Sequence, residues 1–357
     1  MKMTSKERIY SVLHHHIPDR VPINEFLYSR KLYKDVIGRW PIFYNAEDVF
    51  DCAYNLGLDM GVIPIGGFAG ISDKEENKET FVDEWGITYR KKEVAWPGDA
   101  PINFPLRNRE DLKNYTFPDI NARDRLTQIK IALKKAKEYK MAVFGSIRGP
   151  FTQTWLLFGF TNFSLMLYED PKLIDMVVEK VTDFYIAAGL KLAEAGVDAV
   201  LFADDYGGEE APLISPQHFA RFIWPQLERL VKTIKSTNVP VFMHSDGNIM
   251  TLLPELVKTG IVGYHPMQRH ANMDISQVKR KYGDKLVLMG NVDNEVLLAR
   301  GTTDEVIEQS KECIRIAAPG GNYIFGSDHS VHDDIPLENI YAMIETGKKY
   351  GEYPIKI

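Results

Sequence analysis

Eight short apolar runs, each closing on polar, proline or glycine residues, constrain this chain more than any other feature. They are RVPINEF (20–26), GVIPIGG (61–67), MAVFGSI (141–147), DAVLFADD (198–205), PVFMHSD (240–246), IVGYHP (261–266), LVLMGNVD (286–293) and NYIFGSDHS (322–330). Near-continuous apolar runs are what parallel strands show when both faces of their sheet are covered. Helical stretches separate most of them. Thr4 with Glu7 predicts a capped first helix that stops before Ile17-Pro18. Ser215-Pro216, Thr302 with Glu305, and Pro336 open further helices, and Pro225 predicts a kink in the first of these. Strands alternating with helical crossovers predict an α/β fold, a (β/α)8 TIM barrel with an N-terminal helix. An open doubly wound sheet is the alternative. The rhythm breaks once, at an insertion of about residues 68–140 after the second strand. Its middle, 80–97, reads as a β-hairpin turning near Gly86. Residues 1–357 therefore read as one domain with an elaboration.

Composition narrows the function classes. A net charge of -6 with no basic patch argues against a nucleic-acid partner. No stretch approaches 18 uninterrupted apolar residues, so no membrane span is expected. The two cysteines, Cys52 and Cys313, have neither metal nor redox spacing, which suits a reducing compartment. The first twenty residues lack the apolar core of a signal peptide. A cytoplasmic protein is the expectation. His14, His15 and His16 are consecutive, so on a helix they point in different directions and read as a solvated helix end.

In a (β/α)8 barrel, chemistry gathers at the C-terminal ends of the strands. Those ends supply Asn24 and Glu25; Ser146 and Arg148; Asp204, Asp205 and Tyr206; His244 and Asp246; His265 and Gln268; Asn291 and Asp293; Asp328 and His329. Strand ends must turn polar somewhere, which accounts for single residues. It accounts less well for histidines and carboxylates converging on one rim. Side chains alternate along a strand, so His244 and Asp246 share a face. His329, at the end of the eighth run, is the natural third ligand. A His-Asp-His set leaves an open coordination position, as catalytic zinc sites do. The same letters describe a non-haem iron triad, a weaker fit to an alternating β and α chain. Phosphate-loop, dinucleotide and nucleophile-elbow motifs are absent.

The segments MTSKERIYSVLHHHIPDRVPI, HSDGNI…LLPELVKTGIVGYHP, MGNVDNEVLLARGTTDEV and NYIFGSDHSVHDDIPLENI resemble the uroporphyrinogen decarboxylase superfamily. The likeness runs from about residue 3 to residue 352 and implies a (β/α)8 barrel. The superfamily holds cofactor-free decarboxylases and zinc methyltransferases that exchange methyl groups with a corrinoid carried on a separate protein. The decarboxylase segment R-Q-A-G-R-Y is replaced here by NEFLYSRKLY, with Glu25 and only Arg30. A polycarboxylate substrate needs arginine partners, so the resemblance points to the methyltransferase branch. Thiol-methylating members carry H-x-C and a later cysteine, where this chain has His244, Asp246 and His329. That exchange lowers the negative charge on the metal and favours an oxygen ligand over a thiolate. An O-demethylase type of methyltransferase is implied, with a methoxylated aromatic as donor, zinc as metal and a corrinoid protein as acceptor.

Tyr206, Asp205 or Glu25 would deliver the proton to the leaving oxygen. Asn24, Phe26, Tyr28, Arg148, Asp204, His265, Gln268, Asn291 and Asp293 are the expected substrate-binding set. Trp85 and Trp155 are further pocket candidates, although aromatic residues in a barrel are more often core. Asp293 and Asn291 equally suit capping of the next helix, Asp204 and Asp205 capping of the next loop. A homodimer is left open. Metal-free decarboxylation and a non-catalytic binding barrel are the rival functions.

Overall fold

The computed structural model describes residues 2–42, 45–65, 79–91, 100–122 and 124–357. Twelve strands are present among them: β1 (Leu27–Tyr28), β2 (Met60–Pro64), β3 (Thr80–Val82), β4 (Thr88–Arg90), β5 (Ala100–Asn103), β6 (Ala142–Arg148), β7 (Ala199–Ala203), β8 (Val241–His244), β9 (Gly263–His265), β10 (Val287–Met289), β11 (Tyr323–Ile324) and β12 (Val331–His332). Seven form one parallel sheet in the order β11-β10-β9-β8-β7-β6-β2. Helices Thr127–Tyr139, Pro171–Ala195, Trp224–Lys235, Leu253–Thr259, Ile275–Tyr282 and Thr303–Ala317 connect consecutive strands.

The eighth position belongs to the first apolar run, which is not a regular strand. Ile23 makes one parallel bridge with Phe325, and its carbonyl accepts from the Asp59 N–H at 2.8 Å. The run thus stands between β11 and β2 and closes the ring. Two residues explain its irregularity. Pro22 has no N–H to give to a ladder, and the Ile23 N–H goes to the Asp59 carboxylate at 2.8 Å. The chain is a (β/α)8 barrel closed by an irregular eighth element.

Two apolar clusters follow from strand alternation. Val241 and Met243 of β8 face the outer helices, while Phe242 faces the barrel axis with Phe144, Leu201, Val287 and Ile324. Gly263 leaves room for the Phe242 ring; a Cβ there would sit 2.0 Å from it. Ile9, Val12 and Leu13 of helix Ser5–Leu13 belong to this inner cluster, so the first helix plugs the N-terminal mouth. Its capping box is Thr4 with Glu7, as the sequence predicts, and Thr302 with Glu305 forms a second. A π-helical turn at Phe219–Ile223 precedes Trp224-Pro225.

The insertion carries the expected hairpin, β3 and β4, with Gly86 at φ +75°. It also carries β5, which pairs with β4 to make a three-stranded antiparallel sheet. Residues 66–67 of the second run and 92–97 of the hairpin stretch lie outside the described residues. Helix Thr127–Tyr139 packs between β2 and β6 as their ordinary crossover. The added structure therefore ends before it, short of residue 140. Among the described residues no helix is long and apolar enough to cross a membrane.

Candidate metal centre

Strand register sets the site. Arg148 pairs with Ala203, Ala203 with His244, and His244 with His265, one row at the C-terminal end of the barrel. The row beneath it is Ser146, Leu201, Phe242 and Gly263. Phe242 points inward, so by the two-residue period His244 does too. Beyond His244 the chain turns through Asp246 and Gly247. Gly207 lies so close to Gly247 that a Cβ on either would fall within about 2.4 Å of the other's backbone. Gly247 also has φ +75°. This contact fixes the loop, and the Gly207 N–H donates to the Asp246 carbonyl at 3.2 Å.

One donor atom each from His244, Asp246 and His329 lies within 4.8 Å of the others. His329 Nε2 is 3.1 Å from Asp246 Oδ2, and His244 Nε2 is 3.6 Å from Asp246 Oδ1. Two donors on one tetrahedral zinc with ~2.1 Å bonds sit roughly 3.4 Å apart. The back of each ring is held: His244 Nδ1 by His265 at 2.7 Å, His329 Nδ1 by the Ser330 hydroxyl at 2.7 Å. Asp246 Oδ1 is buried and has no hydrogen-bond partner. Donor types, spacing and this orphaned oxygen all fit a divalent cation such as zinc.

The charges fit as well. Burial opposes a charge on Asp246, but His329 and His244 outweigh it and hold the carboxyl below the usual range. Burial likewise opposes a charge on His329, yet Asp246 raises it to about 9. Asp205 lies 3.6 Å from His244 Nε2, and its Oδ1 accepts the Asp246 N–H at 3.1 Å. Burial and the Asp246 charge push its carboxyl up. Burial lifts Glu25 to about 7, against hydrogen bonds from the Ser327 N–H and hydroxyl at 2.9 and 2.8 Å.

A cavity of about 200 Å³ opens onto these groups. Its wall includes the whole triad, Glu25, Asp205, Phe26, Tyr28, Arg148 and Trp85, as the sequence suggests. It also includes residues without a local signal, because they sit mid-helix or in loops: Thr152, Phe184, Tyr185 and the Arg125–Glu84 ion pair at 2.5 Å. Trp85 stacks on Tyr185 with centroids 5.8 Å apart, so the inserted hairpin supplies one wall.

Other expected residues support the rim instead of facing the cavity. Tyr206 is fully buried against Phe151, Phe219 and Trp224. It is a core residue, and burial and Asp204 push its phenol far up, away from proton delivery. Asp204 caps helix Pro150–Phe158, accepting the Phe151 and Thr152 N–H groups at 3.2 and 2.6 Å. Asp293 caps the following turn through the Glu295 and Val296 N–H groups and meets His270 at 3.1 Å. Asn291 donates to the Met267 carbonyl at 2.8 Å, and Gln268 accepts from the Gly247 N–H at 2.9 Å. Asn24 is buried beside Met289. Trp155 packs edge-on against Phe160. His265 lies behind His244, out of the cavity.

Known proteins share this architecture. The structure of a methyltransferase from Methanosarcina mazei superposes with a TM-score of 0.74, covering 98% of this chain and 99% of that one at 20% identity. Uroporphyrinogen decarboxylase of Hydrogenovibrio crunogenus is 25% identical over 287 residues, 76% of this chain and 77% of that protein. The enzyme of the same name from Vesicomyosocius okutanii is 26% identical over 257 residues, 70% of this chain and 71% of that protein. The profile of the family Uroporphyrinogen decarboxylase (URO-D) matches residues 93–350. With the barrel and its rim in place, that match makes the chain a member of the uroporphyrinogen decarboxylase family.

Proposed function

We propose that the chain is a zinc-dependent methyltransferase that moves a methyl group from a methoxylated aromatic to the cobalt of a separate corrinoid protein. The observation that carries this reading is the His244, Asp246 and His329 triad at the edge of a cavity walled by Phe26, Tyr28, Trp85, Phe184 and Tyr185. Bound zinc would supply Lewis acidity at the ether oxygen. The aromatic wall holds the ring of the donor, and stacked or edge-on contacts orient it. The partner protein's cobalt would accept the methyl carbon as the C–O bond breaks, and the bonding pair would stay on oxygen. Glu25 and Asp205, both on the wall and both raised above ordinary carboxyl values, supply the proton.

The curated relatives favour decarboxylation instead. Against it stand the missing arginine pair and the engagement of Arg30 with Asp333 at 2.6 Å. Two measurements decide. Protein purified without chelator is expected to carry close to one zinc per chain, and His244→Ala to lose it. With a reduced corrinoid protein and a panel of methoxylated aromatics, methyl is expected to appear on cobalt. A metal-free wild type overturns the reading; release of CO2 from uroporphyrinogen establishes the rival. Silence with ether, amine and thiol donors favours a binding barrel without catalysis.

A further inference from the structure

His265 was a candidate for touching substrate, and the fold puts it elsewhere. It is 2% exposed, and its Nδ1 lies 2.7 Å from Nδ1 of His244. The two ring planes differ by only 25°, so the contact runs along the in-plane lone-pair direction. Phe26 sets an edge against both rings, 5.9 Å from His244 and 5.0 Å from His265 between centroids. The strands also hold the pair, because His244 and His265 are register partners in β8 and β9.

Hydrogen-bond logic then assigns the protons. Two N–H groups cannot face each other at this distance, so one Nδ1 donates and the other accepts. His244 Nε2 faces Asp246 Oδ1 at 3.6 Å, on the side where the metal would sit. A neutral imidazole has one N–H, so a ring that gives its Nε2 lone pair to a metal keeps the hydrogen on Nδ1. His244 Nδ1 is therefore the donor, and His265 Nδ1 the acceptor. His244 Nε2 is left with a lone pair aimed at Asp246 and His329.

We propose that His265 is a positioning residue, which locks His244 in the Nδ1–H tautomer so that Nε2 is preset as a metal ligand. The inference rests on the metal reading of the triad. Metal-bound histidines usually hand their second N–H to a carboxylate, a carbonyl or water, and losing that partner costs 10–100-fold in metal affinity. Here the acceptor is a second imidazole, accepting through its Nδ1 lone pair. A neutral acceptor adds less electron density to the ligand than a carboxylate would. The choice keeps the site strongly Lewis acidic, consistent with an oxygen-bound substrate.

The test uses the full chain with 15N-labelled histidine, the variants His265→Leu and His265→Gln, and zinc titrated against a chelator. In the metal-free wild type, long-range 15N spectra are expected to show His244 protonated at Nδ1. His265→Leu is expected to show a mixture of tautomers and to bind zinc 10–100-fold more weakly. His265→Gln, whose side-chain oxygen still accepts, is expected to keep both properties near wild type. Nε2 protonation of His244 in the wild type overturns the proposal. So does wild-type zinc affinity in His265→Leu, or an equal loss in both variants. If the wild type takes up no zinc, the metal reading fails, and the tautomer spectra of the metal-free protein still decide the role of His265.

Discussion

His329 is the residue whose chemistry is most open to measurement. Without metal its proton is held up to about 9 by Asp246, against the opposing effect of burial. A metal ligand must be deprotonated. The sign follows: below pH 9 a proton competes with zinc for Nε2, so zinc uptake releases it and affinity rises with pH. A rise of up to about tenfold per pH unit is expected between pH 7 and 9, levelling above that. Chelator competition across this range measures it, and a flat profile rules it out. At this scale the sequence was informative about which donor side chains meet. The spacing of His244 and Asp246 places them together, and His329 follows from standing last on the eighth run. It was misleading about Tyr206. Tyr206 follows two rim carboxylates in the chain, yet its N–H is taken by the Ser245 hydroxyl at 2.9 Å and its ring turns into the core. Nothing in a run of three polar residues says which one folds back.

Among the elements, helix Pro150–Phe158 and the inserted hairpin carry the sharpest consequences. Asp204 caps that helix from a different strand, and Gly149 makes the approach possible, since a Cβ there would meet the Asp204 carboxyl at 2.3 Å. Asp204→Ala is expected to destabilise the protein by about 1–2 kcal/mol, the cost of an N-cap, read as a lower urea midpoint with unchanged slope. The hairpin ends in Trp85, 2% exposed and packed on Phe184 and Tyr185. Trp85→Ala removes a cavity wall. It is expected to cost roughly 3–5 kcal/mol of stability and to raise KM for an aromatic donor more than it lowers kcat; an unchanged KM would separate Trp85 from substrate. The hairpin itself was legible, since alternation and Gly86 are local signals. Its third strand and its docking on helix Pro171–Ala195 were not, because both depend on partners distant in the chain.

At the scale of the whole molecule, closure of the ring depends on Asp59. It is fully buried and takes Arg8 Nη1 at 2.8 Å, Arg20 Nη1 at 2.8 Å and the Ile23 N–H at 2.8 Å. One carboxylate thus joins the plugging helix, the irregular eighth element and the start of β2. Removing one partner of a buried charge cluster leaves the others uncompensated, at a cost of about 3–5 kcal/mol. Asp59→Ala is expected to lose about that much in chemical unfolding and to loosen the N-terminal helix in hydrogen exchange. A loss below 1 kcal/mol would mean that the ring closes without it. The first apolar run was readable as a barrel segment, but its irregularity was not, because the competing acceptor for Ile23 lies 36 residues away.

What the sequence alone determined is local and periodic. Apolar runs set the strands, the two-residue period sets which side chains share the inner face, and capping boxes set helix starts. Those rules suffice for the barrel and for putting His244, Asp246 and His329 on one rim. Only the tertiary structure decided which rim residues look into the cavity and which brace it. Asp204, Asn291, Asp293 and His265 share the polar signature of Asp205, Glu25 and Arg148 in the chain. Glu25 and Asp205 also accept main-chain N–H groups, from Ser327 and Asp246, yet they line the cavity. The first group meets its partners behind the rim, and a buried polar group takes the partner that the fold brings within hydrogen-bond reach.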